Sequence, residues 1–303
     1  MKKNFVVTEE YINSRLDRWF RRNIFDLPQS LLEKSIRKGN IKVNKKKKNS
    51  SYKLALNDSI TIYDFNAVPN KHKKKSTPYK ATKKDISSSS EIFIEDNENF
   101  VVINKPAGVA VQSGTKSKRN ILDILKSTDE FSNYKPYTVH RIDKETTGLL
   151  IVAKNRKYAQ LFTSLFRIRK IHKVYLAIVL GSFLKKSGTI KDDLFHYEGK
   201  IKVTTKAITH FTVIDSSSNY SLIKLSPETG RKHQLRKHLL MHGNPILGDT
   251  KYRITNKHKS QNAKLMLHAY KINFSINNLK YNFTAELPDV FKQFIKEKYL
   301  KIS

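Results

Sequence analysis

Apolar residues near the start of the chain recur at helical spacing. Leu16, Trp19 and Phe20 fall at i, i+3 and i+4, with Arg15, Arg18, Arg21 and Arg22 on the other face. This pattern predicts an amphipathic helix capped by Asn13 or Ser14. Pro28 opens a second helix through Leu31, Leu32 and Ile36, and Gly39 is placed to end it. Its exposed face carries Lys34, Arg37 and Lys38. A short strand, Ile41-Lys42-Val43, leads into a loop, Asn44 to Ser51, that holds Lys45, Lys46, Lys47 and Lys48. A second strand is expected near Ser59 to Tyr63. Residues 12–64 therefore read as one small basic module.

Residues 65–90 read as a mobile linker, with Pro69, Pro78, the cluster His72-Lys73-Lys74-Lys75 and the run Ser87 to Ser90. From Glu91 the texture changes. Strands are expected at Ile92 to Ile94, Phe100 to Ile103, Leu149 to Ala153, Val174 to Leu180, Lys202 to Thr205, Ala207 to Val213, Tyr220 to Leu225, Leu265 to Asn273 and Tyr281 to Ala285. Helices are expected at Asn120 to Leu125, Lys157 to Phe166, Arg231 to Met241 and Asp289 to Tyr299. Many strands broken by few helices suggest an α+β domain over 91–303, with a mixed, mostly antiparallel sheet flanked by helices and loops.

Charge then narrows the partner. The 303 residues hold 59 Lys and Arg against 26 Asp and Glu, a formal charge of +33. That excess favours a polyanion, and nucleic acid over an anionic membrane. The chain has no Cys, which excludes disulfides, thiolate metal sites and a Cys nucleophile. No apolar run approaches the roughly eighteen residues of a membrane span, and the N-terminus has no signal-peptide core. A cytoplasmic, monomeric protein is expected.

The stretch with most chemistry is His140-Arg141-Ile142-Asp143-Lys144-Glu145-Thr146-Thr147-Gly148-Leu149-Leu150. A carboxylate beside an arginine, on a loop feeding an apolar strand, is a way to hold a reactive acid at a sheet edge. The residues alone equally allow a capped turn, with Asp143 accepting backbone N–H bonds and Arg141 on the surface.

Several motifs together resemble one family. The stretch around Asp143 is similar to the catalytic motif of RluA-type pseudouridine synthases, with Ile142 and Thr147 where Leu and Ser are more usual. Asn104-Lys105-Pro106-Ala107-Gly108 resembles that family's upstream motif, and Lys173-Val174-Tyr175-Leu176-Ala177 its tyrosine strand. Thr229-Gly230-Arg231-Lys232-His233-Gln234-Leu235-Arg236 resembles its late arginine motif, continued by Gly243, Pro245, Gly248-Asp249 and Tyr252. Leu267-His268-Ala269 and Leu287-Pro288 match its tail. Residues 12–64, with Arg37-Lys38-Gly39-Asn40-Ile41-Lys42-Val43 at the join, resemble an S4-type RNA-binding domain.

The resemblance implies an isomerase that breaks the N1–C1′ bond of uridine, turns the uracil and rejoins it through C5. No redox step or external group enters, so no cofactor is implied. Large-subunit ribosomal RNA is the implied substrate, with transfer RNA as the alternative. Asp143 would be the nucleophile, attacking C1′ or the uracil ring or acting by elimination. Arg236 would be its ion-pair partner, with a phosphate contact as the plainer reading. Tyr175 would stack on the flipped base, and Arg141 would fill the space the base leaves. His140, Arg231, Arg18, Arg22, Lys38, Lys45 and Lys46 are expected to contact RNA, and Lys105 to be structural or phosphate-binding. Two rivals remain. His238 and His242, at i and i+4, have ligand spacing, but the helix lacks an acidic ligand and no Glu follows His238, so no metal is expected. The S4-like module alone would also fit a non-catalytic RNA-binding or ribosome-assembly protein.

Overall fold

In the computed structural model, which describes residues 2–24, 27–63, 79–82, 85, 90–113, 119–183, 185–198, 201–254 and 264–301, the first apolar stripe is buried as its spacing requires. The chain divides into two compact units, Met1–Thr77 and Pro78–Ser303.

The smaller unit runs β1 (Lys2–Val6), α1 (Leu16–Asn23), α2 (Gln29–Lys38), β2 (Ile41–Val43) and β3 (Ser59–Tyr63). The strands form an antiparallel sheet in the order β1-β3-β2. Leu16, Trp19 and Phe20 of α1 and Leu32 and Ile36 of α2 pack with Ile41, Val43, Ile60 and Ile62. Neither Asn13 nor Ser14 caps α1: the cap position is Arg15, and Asn13 takes a left-handed conformation with φ 61°. The first amides of the helix instead donate to distant carbonyls, Leu16 N to Tyr52 O at 2.9 Å and Asp17 N to Ser50 O at 3.0 Å. The neighbouring chain thus satisfies donors that a cap side chain would otherwise take. Gly39 ends α2 at φ 88°, its amide bonded to Ile36 O.

The larger unit contains β4 (Phe93–Asp96), β5 (Phe100–Lys105), α3 (Ile121–Leu125), β6 (Tyr137–Thr138), β7 (Thr147–Ala153) and α4 (Arg156–Arg167). These are followed by β8 (His172–Leu180), β9 (Ser187–Glu198), β10 (Ile201–Ser216), β11 (Tyr220–Pro227) and α5 (Gln234–Met241). It closes with β12 (Leu267–Ile276), β13 (Leu279–Thr284) and α6 (Asp289–Glu297). One ten-stranded sheet has the order β4-β5-β7-β12-β8-β11-β10-β9, with β13 on β12 and β6 on β7. The pairing of β7 with β12 is parallel, and the others are antiparallel. The mixed sheet expected from the pattern is present. The two strands expected at 202–205 and 207–213 are one strand, β10, paired with β9 from Ile201 to Thr212.

Two apolar clusters fill this unit. One lies around β5, β7 and α4, and the other around β8, β11 and α5. Tyr175 packs against both. The parallel join depends on Gly148. Its φ is 104°, and a Cβ there would lie 2.3 Å from the Ala269 carbonyl oxygen. No other residue lets β7 approach β12 so closely.

Most of the expected linker lies outside the described residues, including His72 to Lys75. Its described end is tied down: Tyr79 and Ala81 pack on the first cluster. Buried Asp85 accepts bonds from the Tyr79 hydroxyl at 2.6 Å, Thr82 N at 3.0 Å and Arg119 Nη2 at 2.6 Å. Among the described residues, no helix is long and apolar enough to cross a membrane.

Candidate active site

The loop before β7 carries Asp143, and Lys105 at the end of β5 fixes that loop. The Lys105 side chain is fully buried, and its Nζ donates to Pro106 O at 2.8 Å, Val109 O at 3.0 Å and Lys144 O at 3.1 Å. Gly108 N adds a second bond to Lys144 O at 3.0 Å. Burial pulls the Lys105 amine down to about 7, against the opposing pull of Glu145 and Asp143. Lys105 is therefore structural: with no exposed surface, it cannot reach a phosphate. The motif Asn104 to Gly108 is a clamp on the residue next to Asp143.

Behind the loop, Thr147 Oγ1 lies 2.8 Å from His268 Nδ1, and His268 Nε2 lies 3.3 Å from Ala285 O. Burial holds the His268 imidazole down at about 4, against the raising effect of the Ala285 carbonyl, so it is neutral at pH 7. Its Nε2–H then donates to the carbonyl and its Nδ1 accepts from Thr147.

Asp143 is about one-quarter exposed, and its Oδ2 lies 3.3 Å from Arg236 Nη1. That pairing was expected. The stronger attachment of Arg236 was not: Nε and Nη2 grip Asp249 Oδ2 and Oδ1, each at 2.7 Å, and the Asp249 side chain has no exposed surface. Asp249 Oδ1 also accepts the amides of Lys251 and Tyr252 at 2.9 Å. The Tyr252 ring lies 5.1 Å from the Arg236 Cζ. The planar guanidinium thus has one edge locked on Asp249 and one nitrogen left for Asp143.

Arg236 is carried by α5, whose start Gln234 fastens. Gln234 Oε1 accepts from Thr229 Oγ1 at 2.7 Å and Arg231 N at 3.0 Å, while Nε2 donates to Ile208 O and Thr209 Oγ1. The helix begins at Gln234 and not at Arg231 because His233 turns left-handed, at φ 54°. His233 Nδ1 lies 2.9 Å from the Tyr252 hydroxyl, and its Nε2 lies 3.8 Å from Asp143 Oδ1.

These groups face one cavity of ≈ 640 Å³, lined by Arg141, Asp143, Lys173, Tyr175, His233 and Arg236 among others. Burial pushes the Tyr175 hydroxyl well above the usual phenol range, and the charge of Asp143 adds to this. Tyr175 therefore keeps its proton and offers a neutral ring face. Arg141 is exposed at the rim. The capped-turn reading of Asp143 fails in one respect: its side chain faces the cavity and a buried cation.

Some of the residues expected to contact RNA also hold bonds within the fold. His140 Nε2 accepts from Ile151 N at 2.8 Å, and its ring stacks on Phe166 at 4.5 Å. Burial, reinforced by Lys173, drives this imidazole down to about 3. His140 is thus a neutral part of the cavity wall. Arg231 is exposed and donates from Nε to Lys206 O at 3.1 Å. In the smaller unit Arg18, Arg22, Lys38, Lys45 and Lys46 are exposed. Arg18 and Arg22 line a shallow cleft with Arg15, Arg21 and Gln29. His238 and His242 diverge: His238 Nδ1 faces Thr209 Oγ1 at 3.0 Å, and His242 stacks on Phe183 at 4.9 Å.

Known proteins are similar to this chain in sequence and in fold. Residues 99–241 match the family model described as RNA pseudouridylate synthase. The chain is 34% identical over 305 residues to "Ribosomal large subunit pseudouridine synthase C" of Buchnera aphidicola subsp. Baizongia pistaciae, across 96% of this chain and 95% of that protein. It is 35% identical over 304 residues to the protein of the same name from Rickettsia bellii, across 95% of this chain and 99% of that one. Among solved structures, "Human RNA Pseudouridylate Synthase Domain Containing 4" aligns with a TM-score of 0.63 at 26% identity, over 72% of this chain and 96% of that chain.

Proposed function

The chain belongs to the RNA pseudouridylate synthase family, and from that premise we propose that it isomerises uridines of large-subunit ribosomal RNA, with Asp143 as the reacting carboxylate. Two relatives that match nearly end to end are named for that substrate. The observation that carries the residue assignment is the clamp: Asp143 opens to the cavity while Arg236, itself fixed by buried Asp249, holds one of its oxygens.

The reaction breaks N1–C1′ and forms C5–C1′; the C5 hydrogen leaves as a proton and N1 takes one up. Asp143 adds to C1′, adds to the uracil ring, or draws a proton in an elimination. Each route needs one ionised carboxylate held beside a flipped nucleotide. Arg236 supplies the counter-charge in a site that RNA closes to water. Tyr175 offers its ring to the extruded uracil, a contact worth about 1–3 kcal/mol. Arg141, at the rim, takes the place of the base in the stack and offsets part of the extrusion cost.

The smaller unit serves as an S4-type RNA-binding domain. Support comes from the exposed cations of α1, α2 and the loop after β2, which suit phosphate contacts on a folded RNA. A ribosomal RNA substrate is consistent with a cytoplasmic enzyme. The test is to incubate the full chain with large-subunit ribosomal RNA and, separately, with transfer RNA made without modifications, and to map pseudouridines in both. New pseudouridines at discrete positions of the ribosomal RNA are expected. Modification of transfer RNA alone would refute the substrate assignment.

A further inference from the structure

Three observations converge on His233. It is a non-glycine residue in the left-handed region, at φ 54°, directly before the helix that carries Arg236. A strained residue inside a site is a reason to ask what the strain holds in place. Its ring nitrogens are both directed at polar groups, Nδ1 at the Tyr252 hydroxyl at 2.9 Å and Nε2 at Asp143 Oδ1 at 3.8 Å. Asp143 Oδ2 is already engaged by Arg236, so Oδ1 is the oxygen left to be oriented.

The tautomer follows from the neighbours. With the proton on Nδ1, the lone pair of Nε2 would face a carboxylate, which is repulsive. With the Tyr252 hydroxyl donating to Nδ1, the proton sits on Nε2 and points at Asp143. Burial raises Tyr252 above its ordinary value, opposed by Arg236 and helped by Asp143 and Asp249, so it retains the hydroxyl proton this needs. Burial lowers His233, opposed by Asp143 and aided by Arg236, Lys251 and Lys232, so the ring stays neutral at pH 7.

We propose that His233 is a positioning residue for Asp143: Tyr252 fixes its tautomer, and its Nε2–H closes on Asp143 Oδ1 when RNA fills the cavity. Catalytic hydrogen bonds are often long before substrate arrives and shorten in the complex. With Arg236 on one oxygen and His233 on the other, the carboxylate plane is set and one lone pair is aimed into the cavity. The role rests on Asp143 being the reacting group.

The test uses the full chain. His233→Asn accepts the left-handed backbone but is too short to reach Asp143, whereas His233→Gln carries an N–H out to the Nε2 position. His233→Asn should lower kcat roughly 10- to 100-fold with KM for RNA unchanged, the effect of losing one hydrogen bond to a charged group. His233→Gln should recover part of that loss. Nitrogen-15 NMR of the imidazole should show Nε2–H in the wild type and a tautomer mixture in Tyr252→Phe, which keeps the ring beneath Arg236. Full kcat in His233→Asn, or an Nδ1–H tautomer in the wild type, would overturn the proposal. An active Asp143→Asn would instead remove the nucleophile assignment. An inactive Asp143→Asn beside a fully active His233→Asn would overturn the His233 role alone.

Discussion

Asp249→Asn removes one charge and almost no volume, at a residue that touches no substrate. The carboxylate accepts two guanidinium bonds at 2.7 Å and two backbone amides at 2.9 Å. Asn keeps one oxygen for the amides but turns an NH₂ toward Arg236, which is 9% exposed. Removing one partner of a buried pair costs about 3–5 kcal/mol. The lower end applies here because the amide bonds survive, so denaturant unfolding at pH 7 should show a loss of roughly 3 kcal/mol. The pH dependence has a fixed sign. Burial pushes the Asp249 carboxyl up, but the Arg236 bonds and the amides of Tyr252 and Lys251 outweigh it and leave it below its ordinary value. A depressed carboxyl contributes stability that is complete above the unfolded value, near about 4, and is lost as pH falls through the folded one. The gap between wild type and variant should therefore narrow below about pH 4. Activity should fall too, because an untethered Arg236 no longer holds Asp143. A charged hydrogen bond of about 1.5–3 kcal/mol corresponds to roughly 10- to 100-fold in kcat. Equal stability at pH 7, a gap that widens in acid, or unchanged turnover would refute this account of Asp249.

Lys105→Met removes the Lys105 bond from the carbonyls of Pro106 and Val109, each costing about 1–3 kcal/mol, and leaves Lys144 O with the Gly108 amide alone, which loosens the Asp143 loop. Lower thermal stability and lower kcat at constant KM are expected, and an unchanged melting temperature would contradict the clamp. Tyr175→Phe should keep RNA binding, while Tyr175→Leu should lose about 1–3 kcal/mol of stacking in single-turnover assays. Equal behaviour of Phe and Leu at this position would remove the stacking role. Arg18→Gln with Arg22→Gln should weaken RNA binding and lower the slope of log K against log salt by up to about 2, whereas an unchanged slope would exclude these arginines from phosphate contact.

The sequence was most legible where a residue's neighbours in the chain are also its neighbours in space. The stripe of Leu16, Trp19 and Phe20, the stop at Gly39 and the apolar strand after Asp143 all follow from local pattern. The motif around Asp143 and the Gln-Leu-Arg stretch pointed to an Asp–Arg pair, and the cavity brings them to 3.3 Å. Asp249 stood in view as part of a motif, but its role depends on a loop folding back onto a helix thirteen residues earlier in the chain. For Lys105 the sequence left a structural and a phosphate-binding role open, and only the fold shows its amine spent on three backbone carbonyls; the bond from Ile151 N to His140 Nε2 is likewise invisible to local pattern. Strand β1, Lys-Lys-Asn-Phe-Val, shows little apolar alternation because it is an exposed edge, and only its pairing with β3 reveals it. Strand β9 is an edge of the larger sheet and escaped notice in the same way.

Tritium release from large-subunit ribosomal RNA labelled at uridine C5 tests the central claim most directly. The wild-type chain should release tritium in step with pseudouridine formed. Asp143→Asn should bind the RNA, keep the fold and release none. Normal turnover by Asp143→Asn would contradict the account.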